Sequence, residues 1–322
     1  MLVFDEDEPF FFNKVIHFSD IPGINKPINT LIGSLQEMSK RIKFCIIGIP
    51  DHQGVLALGG RLGSAHGPDA FRKAFLRLRG QVPVQDSTED CGDVPGITAN
   101  VALNHKRASD YILKKAENKS RSVIIGGSHD HGFSHLNGIF KLLAKHLKGG
   151  EPRIGCINID AHLDLRKPSP VISSGSPFYL AIESGILHPK RLIEFGIQSH
   201  CNAMDLWLYA EAKKIEVVPF NQLRQGTAVK VFGKKLKKLC DQSDAVIVSL
   251  DLDALASAYA PGVSAPQAEG FTAMEVIEMM EIAGRQKKVI SLGIFELNPE
   301  HDQDNKTARL AATAAYHFLE NA

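Results

Sequence analysis

The sequence predicts an α/β protein whose central sheet is mainly parallel and covered by helices on both faces. Three observations carry this. Seven short runs are rich in Val and Ile, they are continuously apolar rather than alternating, and helix-like segments lie between them. A strand apolar at every position is buried on both faces, the condition of a parallel strand beneath crossover helices. Strands alternating with helices give βαβ units.

The apolar runs span residues 43–49, 122–125, 154–159, 192–197, 215–218, 245–250 and 289–295. A helix over 67–78 opens on Gly67-Pro68-Asp69 and sets Ala70, Phe71, Ala74, Phe75 and Leu78 along one stripe. A helix over 272–283 begins with Thr272 and carries Glu275 three residues on, the spacing of a capping box. Residues 307–319 read as a terminal helix. No repeat, low-complexity tract or long Pro/Gly/Ser linker divides the chain. One domain over 1–322 is expected, with 1–40 an N-terminal extension packing on it.

Composition narrows the function. Lys plus Arg is 37 and Asp plus Glu is 36, a net charge of +1, which excludes a strongly basic nucleic-acid binder. No apolar run approaches the roughly 18 residues of a membrane span. The opening MLVFDEDEPFFF is acidic where a secretory signal is basic. Cys45, Cys91, Cys156, Cys201 and Cys240 are scattered and form no CxxC pair, against a disulfide framework or a zinc-thiolate site and in favour of a cytoplasmic protein.

Ligands of open parallel sheets sit beyond the carboxyl ends of the strands, and four polar clusters follow apolar runs here. The first is Gly126-Gly127-Ser128-His129-Asp130-His131. Its glycines permit a tight turn. It lacks a phosphate-loop pattern, and position 130 is Asp where a nucleophile elbow around Ser128 needs Gly. The second runs from Asn158 to Asp164. Asp160, His162 and Asp164 alternate, so an extended chain would aim all three to one side. A helix cap at Asp160 is the bland alternative, outweighed by the cost of burying two carboxylates side by side without a cation.

The third cluster places Asp251 and Asp253 at the end of an equally apolar run. Paired carboxylates serve a metal or the acid/base chemistry of a glycosidase. The glycosidase reading lacks an aromatic sugar platform, since the chain has one Trp. The fourth cluster, Glu296-Leu297-Asn298-Pro299, would alone read as a surface residue before a turn. Together, four aspartates and two histidines suit two divalent ions, with Mn²⁺ the natural choice and Mg²⁺, Zn²⁺ or Fe²⁺ the alternatives. Bridging carboxylates hold such ions about 3.5–4 Å apart and make an activated water available near neutral pH.

Taken in order, Gly126-Gly127-Ser128-His129, Asp160-Ala161-His162-Leu163-Asp164 and Ser249-Leu250-Asp251-Leu252-Asp253 resemble the three metal motifs of the ureohydrolase (arginase/agmatinase) family. The likeness runs from about residue 41 to the C-terminus. It implies a three-layer α/β/α arginase-like fold and two Mn²⁺ per subunit. His129, Asp160, Asp164 and Asp251 would hold one ion. Asp160, His162, Asp251 and Asp253 would hold the other, with Asp160 and Asp251 bridging. Glu296 would face a cationic amidine or guanidine.

Within the family the sequence is most similar to the formimidoylglutamase branch, through Asp164-Leu165-Arg166, Ser174-Gly175-Ser176-Pro177-Phe178 and the stretch from Ala260 to Pro266. It departs from that branch at Ser128-His129-Asp130-His131, where Gly-His-Glu is more usual. His131 is then an extra group, open to a supporting, proton-shuttling or purely structural role. The resemblance implies hydrolysis of N-formimidoyl-L-glutamate to L-glutamate and formamide. A metal-activated water would attack, and Asp164 would relay the proton. Arg166, with Ser174 and Arg61 as weaker candidates, would bind the substrate carboxylates. The alternative is a related ureohydrolase that releases urea from a guanidino compound. A small-molecule substrate, no nucleic acid or membrane partner, and a homo-oligomer complete the expectations.

Overall fold

The computed structural model describes residues 43–322 apart from Pro83, Lys148 and Gln225. The extension expected over residues 1–40 lies outside the described residues. The strands are β1 (Phe44–Ile49), β2 (Thr88–Asp93), β3 (Arg121–Gly126), β4 (Ile154–Ile159), β5 (Leu192–Ile197), β6 (Glu216–Pro219), β7 (Ala245–Asp251) and β8 (Val289–Phe295). They form one sheet in the order β2-β1-β3-β8-β7-β4-β5-β6, every neighbouring pair parallel. All seven predicted runs are strands. The unpredicted one is β2, TEDCGD, in which only Cys91 is buried. It is an edge strand, and its acidic, half-exposed side chains suit an edge that must not recruit another chain.

The helices are α1 (Gln53–Ala57), α2 (Gly67–Phe75), α3 (Val101–Ala116), α4 (His131–His146), α5 (Pro177–Glu183), α6 (Met204–Lys213), α7 (Ala228–Gln242), α8 (Ala273–Arg285) and α9 (Lys306–Glu320). The predicted capping box is present on α8: Thr272 Oγ1 accepts from the Glu275 N–H at 3.2 Å, and Glu275 Oε2 accepts from the Thr272 N–H at 2.9 Å.

Strand alternation divides the core into two layers. Phe44 and Ile46 of β1, Val123 and Ile125 of β3, and Val246, Val248 and Leu250 of β7 pack with Phe71, Phe232, Met279 and Phe318 from α2, α7, α8 and α9. Cys45, Ile47 and Ile49 of β1, Ile124 of β3 and Ile247 of β7 pack with Ile112, Leu136, Phe178 and Leu206 from α3, α4, α5 and α6. Each side chain buried this way stabilises the fold by about 1.5–3 kcal/mol. Both faces are covered, so the strands read as unbroken apolar runs. The same arrangement sets β3, β8, β7 and β4 side by side at the centre. The four polar clusters follow these four strands.

Candidate metal centre

The turn after β3 passes close under β1 and β8. Ser128 N–H donates to Asp51 O at 2.8 Å, and Glu296 N–H donates to Gly127 O at 2.8 Å. A Cβ on Gly127 would lie 1.9 Å from Asp51 O. Substituting Gly127→Ala therefore forces the turn apart. We expect a loss of about 3 kcal/mol in urea unfolding, together with weaker metal binding in a titration. An alanine variant with unchanged stability and affinity would show that this close approach is dispensable.

His129 emerges from that turn fully buried. Its Nε2 lies 2.8 Å from Ser249 Oγ. Its Nδ1 lies 3.2 Å from Asp160 Oδ2, 2.9 Å from Asp164 Oδ2 and 3.0 Å from Asp251 Oδ2. None of these three contacts has hydrogen-bonding geometry. In the tautomer that donates Nε2–H to Ser249, the Nδ1 lone pair faces three carboxylate oxygens, an arrangement that calls for a cation among them.

Asp160, His162 and Asp164 converge as the sequence suggested, but by a different route. β4 ends at Ile159, and residues 160–164 leave the sheet. Asp160 Oδ1 accepts from the His162 N–H at 2.7 Å, which closes a tight Asx turn. Asp164 sits at φ 49°. The β7 end repeats the device: Asp251 Oδ1 accepts from the Asp253 N–H at 2.8 Å. In both turns one oxygen holds the backbone and the other, Oδ2, faces His129. The helix cap offered as the bland alternative for Asp160 is absent: no helix follows, and the carboxylate is fully buried.

Two groups result. His129, Asp160, Asp164 and Asp251 have ligand atoms within 4.8 Å of one another, and so do Asp160, His162 and Asp253. His162 Nδ1 lies 3.1 Å from Asp253 Oδ2 and 3.5 Å from Asp160 Oδ1. Asp160 belongs to both groups. Asp251 stands in the first alone.

Glu296, expected at the surface when read alone, is buried at φ 64°. Its Oε1 accepts from the His129 N–H at 2.9 Å, and its buried Oε2 has no partner among the described residues. Non-glycine residues at positive φ cost about 1–3 kcal/mol each and gather at functional sites.

Electrostatics agree. Burial raises Asp253 well above the usual carboxyl range, with Asp251 and Asp160 adding to it. Burial and then Asp160 push Asp164 up to about 6. Burial, Asp251 and Asp253 raise Glu296 strongly. Burial alone would lower His129, but Asp160, Asp164 and Asp251 lift it well above an ordinary imidazole. Five carboxylates (Asp160, Asp164, Asp251, Asp253 and Glu296) crowd two imidazoles. The donor set is all oxygen and imidazole nitrogen, which fits two hard-to-borderline divalent cations.

A cavity of about 260 Å³ opens above these groups. Arg166, Ser174, Asn202 and Ser264 line it. The Arg166 guanidinium is exposed and pairs with no side chain among the described residues. Arg61 is engaged elsewhere: it donates to the carbonyls of Ser264 and Val263. Asn202 was not anticipated. It accepts from Leu163 N–H at 2.8 Å and donates to Ala161 O at 3.0 Å, so it grips the backbone on both sides of His162. No spacing rule marks it, because these hydrogen bonds join the loop after β5 to the loop after β4.

The family model described as the arginase family matches residues 42–320. The chain belongs to the arginase family. It is 30% identical over 283 residues to the formimidoylglutamase of Staphylococcus carnosus, covering 88% of each chain. It is 33% identical over 285 residues to that of Paraburkholderia xenovorans, covering 85% of this chain and 86% of the relative. Among solved structures, Trypanosoma cruzi formiminoglutamase with Mn²⁺ superposes with a TM-score of 0.77 at 26% identity, covering 87% of this chain and 93% of that one.

Proposed function

We propose that this arginase-family protein is a formimidoylglutamase: a hydrolase of linear amidines that converts N-formimidoyl-L-glutamate and water to L-glutamate and formamide. The observation that carries the reading is a cavity lined by groups of opposite charge. Buried carboxylates line it, and so does Arg166, whose guanidinium pairs with no side chain among the described residues. A substrate with a cationic amidine at one end and carboxylates at the other matches both. Curated relatives that bear this name cover most of the chain.

His129, Asp160, Asp164 and Asp251 would hold one Mn²⁺, and Asp160, His162 and Asp253, joined by Asp251, the other. When bound, the pair supplies Lewis acidity and a water activated near neutral pH. Glu296 Oε2 accepts from the amidinium N–H groups and orients the carbon toward the water. The bond between that carbon and the glutamate nitrogen breaks. Asp164 takes the proton of the attacking water and gives it to the leaving nitrogen. It lines the cavity and accepts no side-chain hydrogen bond among the described residues. Arg166 and the Ser174 hydroxyl take the substrate carboxylates, a task for which a planar guanidinium is suited.

The test is turnover by Mn²⁺-loaded protein of N-formimidoyl-L-glutamate, L-arginine and agmatine in parallel. Formamide and glutamate from the first alone are expected; urea from either of the others would overturn the substrate. In the same assay Arg166→Ala should raise KM by about ten- to a hundredfold. A KM unchanged by that substitution would remove Arg166 from the site. Among the described residues no helix is long and apolar enough to cross a membrane. Five free thiols, four of them buried, support a reducing cytoplasm. The homo-oligomer expected from the family is checked by light scattering, where a monomer would refute it.

A further inference from the structure

Behind the metal centre lies a second buried polar cluster that the reaction does not use. Asp51, just past β1, Asn104 and His105 on α3, and Asp130 and His131 at the start of α4 are all at most 3% exposed. His131 Nε2 lies 3.0 Å from Asp51 Oδ2, and His105 Nε2 lies 2.6 Å from Asp130 Oδ2. His105, Asp130 and His131 are close enough to hold an ion. The charge count argues otherwise. Two carboxylates here meet two imidazoles, whereas the metal centre sets five carboxylates against two. Each carboxylate here already has an imidazole nitrogen at hydrogen-bond distance, so the cluster is built as paired side chains rather than as an open ligand set.

We propose that this cluster is a metal-free brace, and that Asp51 is its positioning residue for substrate binding. Asp51 holds two segments of the cavity wall, and its near neighbour Gly54 holds a third. Its carboxylate accepts from the Gln53 N–H at 2.9 Å, which fixes the start of α1, whose Val55 lines the cavity. Its carbonyl accepts from Ser128 N–H, next to His129. Three residues on, Gly54 O accepts from Ser174 N–H at 3.0 Å, and a Cβ on Gly54 would lie 2.1 Å from Asp130 Oδ1. The loop that carries Ser174 is thus seated directly on the brace.

The brace demands a carboxylate at position 51. Thr98 fixes the Asn104 amide, donating its N–H to Asn104 Oδ1 at 3.0 Å and accepting from Nδ2 at 2.6 Å. Asn104 Nδ2 therefore reaches Asp51 Oδ2, at 2.7 Å, only as a donor. With the Gln53 N–H on Oδ1, both oxygens of Asp51 must accept. Asparagine satisfies one and sets its own NH₂ against a donor at the other.

The inference rests on the substrate reading for its kinetic test, so a substrate-free readout accompanies it. In metal-free protein, Asp51→Asn should speed amide hydrogen exchange across residues 53–60 on the order of tenfold. In Mn²⁺-loaded protein, it should raise KM on the order of tenfold, with kcat changed far less and two Mn²⁺ still bound. His131→Gln, which keeps a donor near Asp51, should show a smaller rise in KM than His131→Ala. If Asp51→Asn does not fold, the His131 pair decides by the same readouts. Unchanged exchange and KM would overturn the brace. So would a third Mn²⁺ equivalent in the wild type that the substitution removes. Failure of the substrate reading shows separately, as a wild type that does not turn over the substrate.

Discussion

Asparagine at position 253 is expected to change protein stability in opposite directions with and without metal. In the chelated protein, Asp253 is a buried carboxyl whose pKa is raised by burial first and then by Asp251 and Asp160, and its Oδ1 has no partner among the described residues. Its ionised form opposes folding. A neutral amide of the same shape relieves that, so Asp253→Asn should stabilise the metal-free protein by about 1 kcal/mol, or about 2 °C in Tm. With Mn²⁺ present the sign reverses. The cation needs the anionic ligand, so the metal-dependent rise in Tm should shrink. Activity should fall by about a thousandfold, more than the 10–100-fold usual for an outer-shell change.

The pH dependence has the same origin. A carboxyl whose folded pKa is raised binds more protons in the folded state. The stability that these raised carboxyls contribute to the chelated wild type should be full below their unfolded values and fade as pH rises through them toward about 6, the Asp164 value, whereas Asp160, whose pKa is lowered, acts in the opposite sense. Thermal scans in chelator and in Mn²⁺, from acid to neutral pH, measure both effects. A variant less stable than wild type in chelator would mean that these carboxylates support the fold without a cation.

The sequence revealed the centre of the sheet more fully than its β2 edge. β3, β4, β7 and β8 are buried on both faces, so periodicity and burial coincide, and their chemistry follows at their carboxyl ends. β2 is a strand only because β1 pairs with it. α3 escaped because its buried stripe mixes Asn104, His105 and Ser109 with Ala108 and Ile112. A polar residue on a buried face breaks the amphipathic pattern, and here the break marks a polar cluster. The candidate metal ligands were legible as residue types but not as geometry. Alternation along a strand suggested the convergence of Asp160, His162 and Asp164, whereas an Asx turn and a positive φ at Asp164 produce it. Arg61 ranked below Arg166 in the sequence only by its distance from the Asp160–Asp164 cluster. Only the carbonyls of Val263 and Ser264 show that one guanidinium is committed while the other remains available.

Glu296→Gln should weaken substrate binding while sparing the metals. Glu296 belongs to neither ligand group. Its Oε1 is held by the His129 N–H, and its N–H by Gly127 O, so the side chain is anchored at both ends. A glutamine that keeps its carbonyl on His129 must turn its NH₂ toward the cavity in place of Oε2. There a donor would meet the donors of an amidinium, and a charge-assisted contact becomes a repulsive one. The loss in kcat/KM should be about a hundred- to a thousandfold. The amidinium is cationic before water attacks; addition to its carbon discharges the N–C–N cation, but its N–H groups still donate to the carboxylate. The contact is therefore made in both ground and transition states, and its loss should fall mainly on KM. Steady-state kinetics with metal analysis of the same sample reads both quantities. A variant that loses Mn²⁺ would make Glu296 a ligand, and one with an unchanged KM would turn it away from the substrate cation.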